Sequence, residues 1–246
     1  MDHLIYTAMS GANATAARQA VLANNLANAS TQGFRAELSN FRAVPVNGDG
    51  ASTRVFALET TTSHDERPGA IQRTGRELDM AAQGASWFAV QGLDGVEAYT
   101  RSGAFQVSPQ GSLVTSTGLA VLSDGGAPID VPPGAQLTVG SDGTLSAKTG
   151  DAPPALIGRI KLATPAEGDP LKRSEDGLFR TSSQDPVPSD TAARLDTGAL
   201  EGSNVNPVQT MVGMIAAARQ FEQQMRLLQM AESVDKSSAQ LLSVQG

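Results

Sequence analysis

Apolar and small residues recur through the first helical turns of the chain at a regular spacing. Ile5, Met9, Ala12, Ala16, Ala23 and Leu26 alternate by four and three, with Gln19 the polar member of the series. That spacing sets them along one side of an α-helix. Most are small, so a second helix could approach closely. Ala29-Ser30-Thr31-Gln32-Gly33 supplies a turn and a flexible glycine, which predicts the helix end near Asn28. Asn24, Asn25 and Asn28 are weak helix formers. Their amides are suited to bonding backbone where the chain leaves the helix.

The far end carries the same pattern from a clear start. Asn206 is expected to cap a helix and Pro207 to occupy its first turn, where a missing N–H costs nothing. Met211, Met214, Ala218, Phe221, Met225 and Leu228 follow at heptad spacing. Leu227, Ala231, Val234, Ser238 and Leu241 carry a second line onward. Such a pattern predicts packing against other helices in a coiled-coil-like manner. Methionines on such a stripe are adaptable packing rather than a cofactor site, and no cofactor is expected.

Between these ends the period changes. Ser86–Val90, Ala98–Thr100, Ala104–Val107 and Leu119–Leu122 are short runs separated by turn signals at Pro109–Gly111, Ser123–Gly126, Ser141–Gly143 and Glu175–Gly177. The expected fold class is α+β: long N- and C-terminal helices bracketing a β-rich, partly open barrel-like middle domain. The expected division places a terminal helical assembly domain in residues 1–35 and 204–246. Extended connecting segments follow in 36–70 and 181–203, and a β-rich outer domain in 71–180.

Composition sharpens this division. Of 25 glycines, 21 lie between residues 36 and 203, and so do 12 of 13 prolines, so the ends are nearly free of helix breakers. The net charge of −7 is also uneven: residues 1–35 carry +1 and 204–246 carry zero, which leaves −8 for the middle. An acidic chain without a basic stripe argues against nucleic acid as partner. There is no cysteine, which excludes disulfides and thiolate chemistry. The N-terminal segment has an acid at position 2 and no long apolar run, unlike a cleaved signal peptide. No stretch is apolar for long enough to cross a bilayer, and direct membrane insertion is not expected. Export, if it occurs, must use a route without a cleaved signal.

Candidate chemistry is thin. His3 falls on the first helix, and His64 sits in Thr62-Ser63-His64-Asp65-Glu66, read as a solvated loop rather than a metal or acid–base cluster. Glu77 and Asp79 alternate with Leu78 and Met80 as in a half-exposed strand. No phosphate loop, dinucleotide fingerprint or nucleophile elbow occurs. No catalytic, cofactor-binding or metal-binding residue is assigned, and no enzyme is expected. The competing class is a secreted enzyme or carbohydrate-binding β-protein with helical oligomerisation arms. Another tubular assembly, such as a phage-tail-like component, is a third.

Asn24-Asn25-Leu26-Ala27-Asn28-Ala29-Ser30-Thr31-Gln32-Gly33-Phe34 resembles the signature of the flagellar rod and hook axial proteins. So do Gly202-Ser203-Asn204-Val205-Asn206-Pro207-Val208, with Met211, Ile215 and Arg219-Gln220-Phe221-Glu222 beyond it. In the centre, Leu78–Ala81, Trp87–Val90, Tyr99–Phe105 and Gly111–Thr115 continue the resemblance in order. Trp87 stands where the family commonly has Phe. The first dozen residues and the modest length resemble the proximal-rod members, with the distal-rod members the nearest competitor. The resemblance implies a rod subunit that transmits motor torque, located in the periplasm-spanning part of the basal body. It implies other copies of itself, other flagellar rod proteins and the flagellar type III export apparatus as partners. The terminal helices would form an inner layer around an export channel. The expected assembly interface is Ile5, Met9, Ala12, Ala16, Asn24, Asn25, Leu26, Asn28, Gly33, Phe34, Asn204, Asn206, Pro207, Met211, Met214, Ile215, Phe221, Met225 and Leu228.

Overall fold

A helix of 26 residues, α1 (Asp2–Ala27), and one of 37 residues, α2 (Pro207–Ser243), are the long elements of the chain. At about 1.5 Å per residue they run roughly 39 and 55 Å. The computed structural model describes residues 2–45, 55–59, 63–166 and 168–243. The architecture is α+β, with the helices at the two ends and a β-rich middle. The chain divides into two compact units. One comprises Met1–Ala27, Glu37–Ser63 and Val205–Gly246; the other comprises Asn28–Ala36 and His64–Asn204.

In the helical unit, α1 and α2 pack on each other, and an antiparallel hairpin, Phe41–Pro45 with Val55–Glu59, lies against α1. Ser10 bridges helix and hairpin: its hydroxyl donates to the Ala57 carbonyl and accepts from the Ala57 N–H, both at 3.2 Å. α2 starts at Pro207 as expected, and the Asn206 side chain accepts from the Gln209 N–H at 3.1 Å. One orphan donor of the first turn is thereby satisfied.

The β-rich unit is built from small antiparallel sheets, and among the described residues they close no barrel. The largest orders its strands Leu162–Ala163, Trp87–Gln91, Glu97–Thr100, Phe179–Arg180 and Lys172–Arg173. A second orders Gln136–Val139, Thr144–Lys148 and Ala155–Arg159. Shorter pairs join Phe105–Val107 to Leu113–Thr115, Leu195–Thr197 to Met80–Ala82, and Ala199–Glu201 to Ile71–Arg73. The run Trp87-Phe88-Ala89-Val90 is apolar without alternation because both of its faces are covered. Phe88 joins a core with Met80, Phe105, Leu113, Leu145 and Ile160, while Trp87 and Ala89 join Tyr99, Leu171, Phe179 and Val187. Phe88 meets Phe105 edge-to-face at 5.1 Å, the arrangement favoured by the ring quadrupoles.

Four of the expected turns close with i to i+3 hydrogen bonds ending on glycine, Ser108–Gly111, Ser123–Gly126, Gly140–Gly143 and Ser174–Gly177. Leu119–Leu122 is not a regular strand. It makes isolated bridges, Ala120 to Val114 and Val121 to Val90, because it crosses between two sheets. The half-exposed strand expected at Glu77–Met80 also differs. Asp79 is buried, held by the Thr74 hydroxyl at 2.6 Å and by an ion pair with Arg76. That local pairing offsets the cost of taking a carboxylate out of water.

Candidate functional site

The buried side of α1 runs through Ile5, Ala8, Ala12, Thr15, Gln19, Leu22 and Asn25, spaced by threes and fours. On α2 the matching line is Thr210, Met214, Ala217, Phe221, Gln224, Leu228 and Ala231. Two close approaches fix the direction. Gly11 lies against the Gln224 amide, where an added Cβ would come within 3.2 Å, and Gly213 lies against Leu22. Eleven residues forward on α1 match eleven backward on α2, so the helices are antiparallel and in step. The buried threonines do not waste their hydroxyls. Thr15 donates to the Gly11 carbonyl and Thr210 to the Asn206 carbonyl, each at 2.8 Å, so both present methyl surface to the seam.

Ile5, Ala12, Leu26, Met214, Phe221 and Leu228 therefore lie on the covered side. Met9, Ala16, Met211, Ile215 and Met225 lie one position off it and are exposed. Ala8, Ala12 and Ala217 on the covered side let the backbones approach. The result is an uncovered stripe on the first turns of α2: Val208 is 71% exposed, Met211 50%, Val212 61% and Ile215 55%. Leu227, Met230 and Val234 continue exposed along the helix, and Tyr6 and Met9 on α1 are exposed as well.

The asparagines at the end of α1 have separate tasks. Asn25 is buried and grips the Glu37 backbone like a strand partner, donating to its carbonyl at 2.9 Å and accepting from its N–H at 2.8 Å. Asn24 is exposed on the helix surface. In the β-rich unit, Asn28 accepts from the Thr31 N–H and hydroxyl, both at 3.1 Å, to form the turn. Gly33 follows with φ +67, and a Cβ there would lie 2.4 Å from the Arg101 carbonyl carbon. Only glycine fits such a site. Phe34 is buried beneath the Arg173 guanidinium, 4.3 Å from its ring centre. Residues 33–36 then run alongside 201–204: the Gly33 N–H donates to the Glu201 carbonyl at 2.8 Å, and the Ala36 N–H to the Asn204 side chain at 2.7 Å. Asn204 also donates to the Asp65 and Arg67 carbonyls at 2.9 and 2.8 Å.

At the centre of this crossing is a buried charge cluster that no local pattern announces. The Glu201 carboxylate is fully enclosed and pairs with Arg35 and Arg101, both side chains 2% exposed. Its Oε1 also accepts from the Gly69 N–H at 2.8 Å, and its Oε2 from Arg101 Nε at 2.9 Å. Arg101 further donates to the Ser86 and Gly84 carbonyls. Burial lowers the pKa of Arg101, and the Arg35 charge adds to that, while Glu201 opposes it. Both guanidiniums lie about the Trp87 ring, at 5.9 and 5.7 Å.

His64, expected in a solvated loop, is instead half-buried, edge-on to Phe179 at 4.8 Å and Trp87 at 5.9 Å. Burial lowers its pKa below 6.5; Arg35 and Arg173 act in the same direction, and Glu66 and Asp65 oppose them. Its neighbours come from distant segments, so the sequence around it carries no sign of the contact. Among the described residues, no group of three His, Cys, Asp or Glu side chains converges as a metal site would require. No described helix is long and apolar enough to cross a membrane.

Three stretches match flagellar families. Residues 5–35 match "Flagella basal body rod protein", 81–147 match "Flagellar hook protein FlgE/F/G D1 domain", and 196–241 match "Flagellar basal body rod FlgEFG protein C-terminal". The chain is 46% identical to the flagellar basal-body rod protein FlgF of Salmonella typhimurium, over 99% of this chain and 100% of the relative. It is 32% identical to FlgF of Caulobacter vibrioides, over 98% of each. Identity to the rod protein FlgG of Bacillus subtilis is 29%, over 94% of this chain and 95% of the relative. With full-length likeness of this order and matches at both helical ends and in the β-rich middle, the chain belongs to the FlgF family of flagellar basal-body rod proteins, structural subunits of the rod rather than enzymes.

Proposed function

We propose that the chain polymerises into the proximal rod through its terminal helices, with α1 and α2 acting as a coiled-coil-like unit that copies and other rod proteins extend. The observation that carries this reading is the uncovered stripe Val208, Met211, Val212 and Ile215 on α2. Covering four such side chains stabilises a contact by something on the order of 4–7 kcal/mol, a contribution that offsets part of the entropy lost on association. A head-to-tail contact repeats without closing and so builds a filament. In this reading Met9, Ala16, Met211, Ile215 and Met225 face neighbouring subunits. Ile5, Ala12, Leu26, Met214, Phe221 and Leu228 hold the pair together. Asn24, Asn25, Asn28, Gly33, Phe34, Asn204, Asn206 and Pro207 set how the chain leaves and rejoins the helices. The terminal helices act as the assembly domain and the β-rich unit as an outer one. The subunit is exported by the flagellar type III apparatus without a cleaved signal, and stands in the periplasm-spanning rod, passing torque to the hook.

The test is Ile215→Asp. Because Ile215 lies off the buried side of α2, the isolated variant should keep the helix content and melting profile of the unaltered protein. It should be excluded from rods and fail to restore motility in cells lacking the chain. Rods of normal length containing the variant would overturn the assignment.

A further inference from the structure

The first turns of α2 leave Val208, Met211, Val212 and Ile215 uncovered, and α1 carries an open face of its own. One side of α1 meets α2. Another, through Ser10, Ala14, Ala17 and Val21, is partly covered where Ser10 bonds the hairpin. The remaining face runs through Met9, Asn13, Ala16, Ala20, Ala23 and Ala27, every one exposed and spaced alternately by four and three. That face has no charge. Arg18 is the one charged residue between Tyr6 and Ala27, and it sits about 200° round the helix from Ala16.

The two faces fit each other in size and in step. Within the chain Gly11 lies against Gln224 and Gly213 against Leu22, so α1 and α2 positions whose numbers add to 235 stand level. The same step sets Ala27 level with Val208, Ala23 with Val212 and Ala20 with Ile215, and drops Met211 between Ala23 and Ala27. Each bulky side chain of the α2 stripe then meets alanine, a knob opposite a hole. Further along, Asn13 stands level with Glu222 and Met9 with Arg226, so no like charges meet. Both faces are turned from the seam that joins α1 to α2 in one chain, so they meet only between copies. Pairing the α2 stripes with each other is less suited. Running parallel they set Arg219 beside Arg219 just past Ile215, a like-charge contact, and in either direction the alanine face stays bare.

We propose that the α2 stripe of one copy packs into the alanine face of α1 on a second copy, antiparallel and at the step the chain itself uses, so that α1 and α2 alternate from copy to copy. This rests on the polymerisation reading above and adds which faces meet and in what register. Each copy gives one face and receives on the other, so the contact is heterologous. The chain has no cysteine, which makes introduced thiols unambiguous. Two single variants, Ala23→Cys and Val212→Cys, are produced together in cells lacking the chain, and the isolated rods are oxidised. With one thiol per chain, every disulfide joins two copies. A mixed link between the two variants is expected, since a disulfide needs Cβ atoms roughly 4 Å apart. Met9→Cys with Val212→Cys is shifted from that register by 14 residues, about 21 Å along the helix, and should give none. Val212→Cys homodimers in place of the mixed link, links in the shifted pair, or no mixed link at all overturn the pairing. Ala23→Trp fills the hole from an exposed position, so the isolated variant should keep its helix content yet be excluded from rods; normal incorporation overturns the pairing as well. Failure of the polymerisation reading has a different signature, the absence of the unaltered chain from isolated rods, and that result overturns both.

Discussion

Replacing Glu201 by Gln would test whether a single carboxylate holds two guanidiniums in the interior of the β-rich unit. The amide preserves volume but removes the only buried counter-ion that the described residues place between Arg35 and Arg101. One of its two ends must also present N–H groups to a guanidinium or to the Gly69 N–H, donor against donor. Removing one partner of a buried pair typically costs about 3–5 kcal/mol. For a chain of this size, at about 2–4 °C per kcal/mol, that is a fall in Tm of roughly 6–20 °C. Trp87, 5.7 Å from the Arg101 guanidinium, lies in the same unit, so urea unfolding followed by its fluorescence measures the loss where it occurs. The sign of a second substitution is equally informative. Adding Arg35→Met to Glu201→Gln removes one stranded cation and should recover about 1–2 kcal/mol, a coupling expected of side chains in contact. A loss below about 1 kcal/mol for Glu201→Gln, or simple additivity in the double variant, would refute the view that Glu201 is the counter-ion both guanidiniums depend on.

Two further outcomes follow from neighbouring residues. Gly33→Ala should lower stability by at least about 2 kcal/mol, since it adds left-handed strain to a Cβ aimed at the Arg101 backbone; an unchanged urea midpoint would mean that the turn rearranges freely. His64 ties stability to pH in a definite direction. Burial holds its pKa below the ordinary 6.5, so the unfolded chain takes up the proton first. Its contribution is therefore complete above pH 6.5 and is lost as pH falls through the lower folded value. His64→Phe keeps an aromatic edge towards Trp87 and Phe179 but removes the titration. The Tm difference between the unaltered protein and this variant should shrink as pH falls from 7.5 to 5 if the imidazole is stabilising when neutral, and a difference constant with pH would refute the linkage.

The signals that could be read in sequence were those whose cause is local. Asn206-Pro207 starts α2 because capping and a fixed φ act within one turn, and α1 ends at Ala27 beside the expected Asn28 for the same reason. Trp87–Gln91 is a strand because a short apolar run of Trp, Phe, Ala and Val between turns has few alternatives. The turns ending at Gly111, Gly126, Gly143 and Gly177 are likewise short-range. Heptad spacing on both ends was visible as well, but not which of two overlapping lines would be covered. On α2, the line Met211, Met214, Ala218, Phe221, Met225 shares Met214 and Phe221 with the covered line Thr210, Met214, Ala217, Phe221, Gln224. Their other members differ by one residue each, about 100° apart around the helix, and apolar content alone preferred the former. Packing preferred the latter, since Thr210 and Ala217 allow close backbone approach and Met211 and Met225 do not.

Period, capping, glycine placement and charge distribution thus determined the elements, their order and the breaker-poor helical ends. The tertiary structure decided what those elements enclose. Arg35 and Glu201 are 166 residues apart in sequence, and Arg101 is 100 from Glu201. His64 meets Phe179 across a similar span. Nothing in the neighbourhood of any of them distinguishes a buried ion from a solvated one. A charge is retained in an interior only where partners arrive from elsewhere in the chain, and that meeting is a property of the folded backbone.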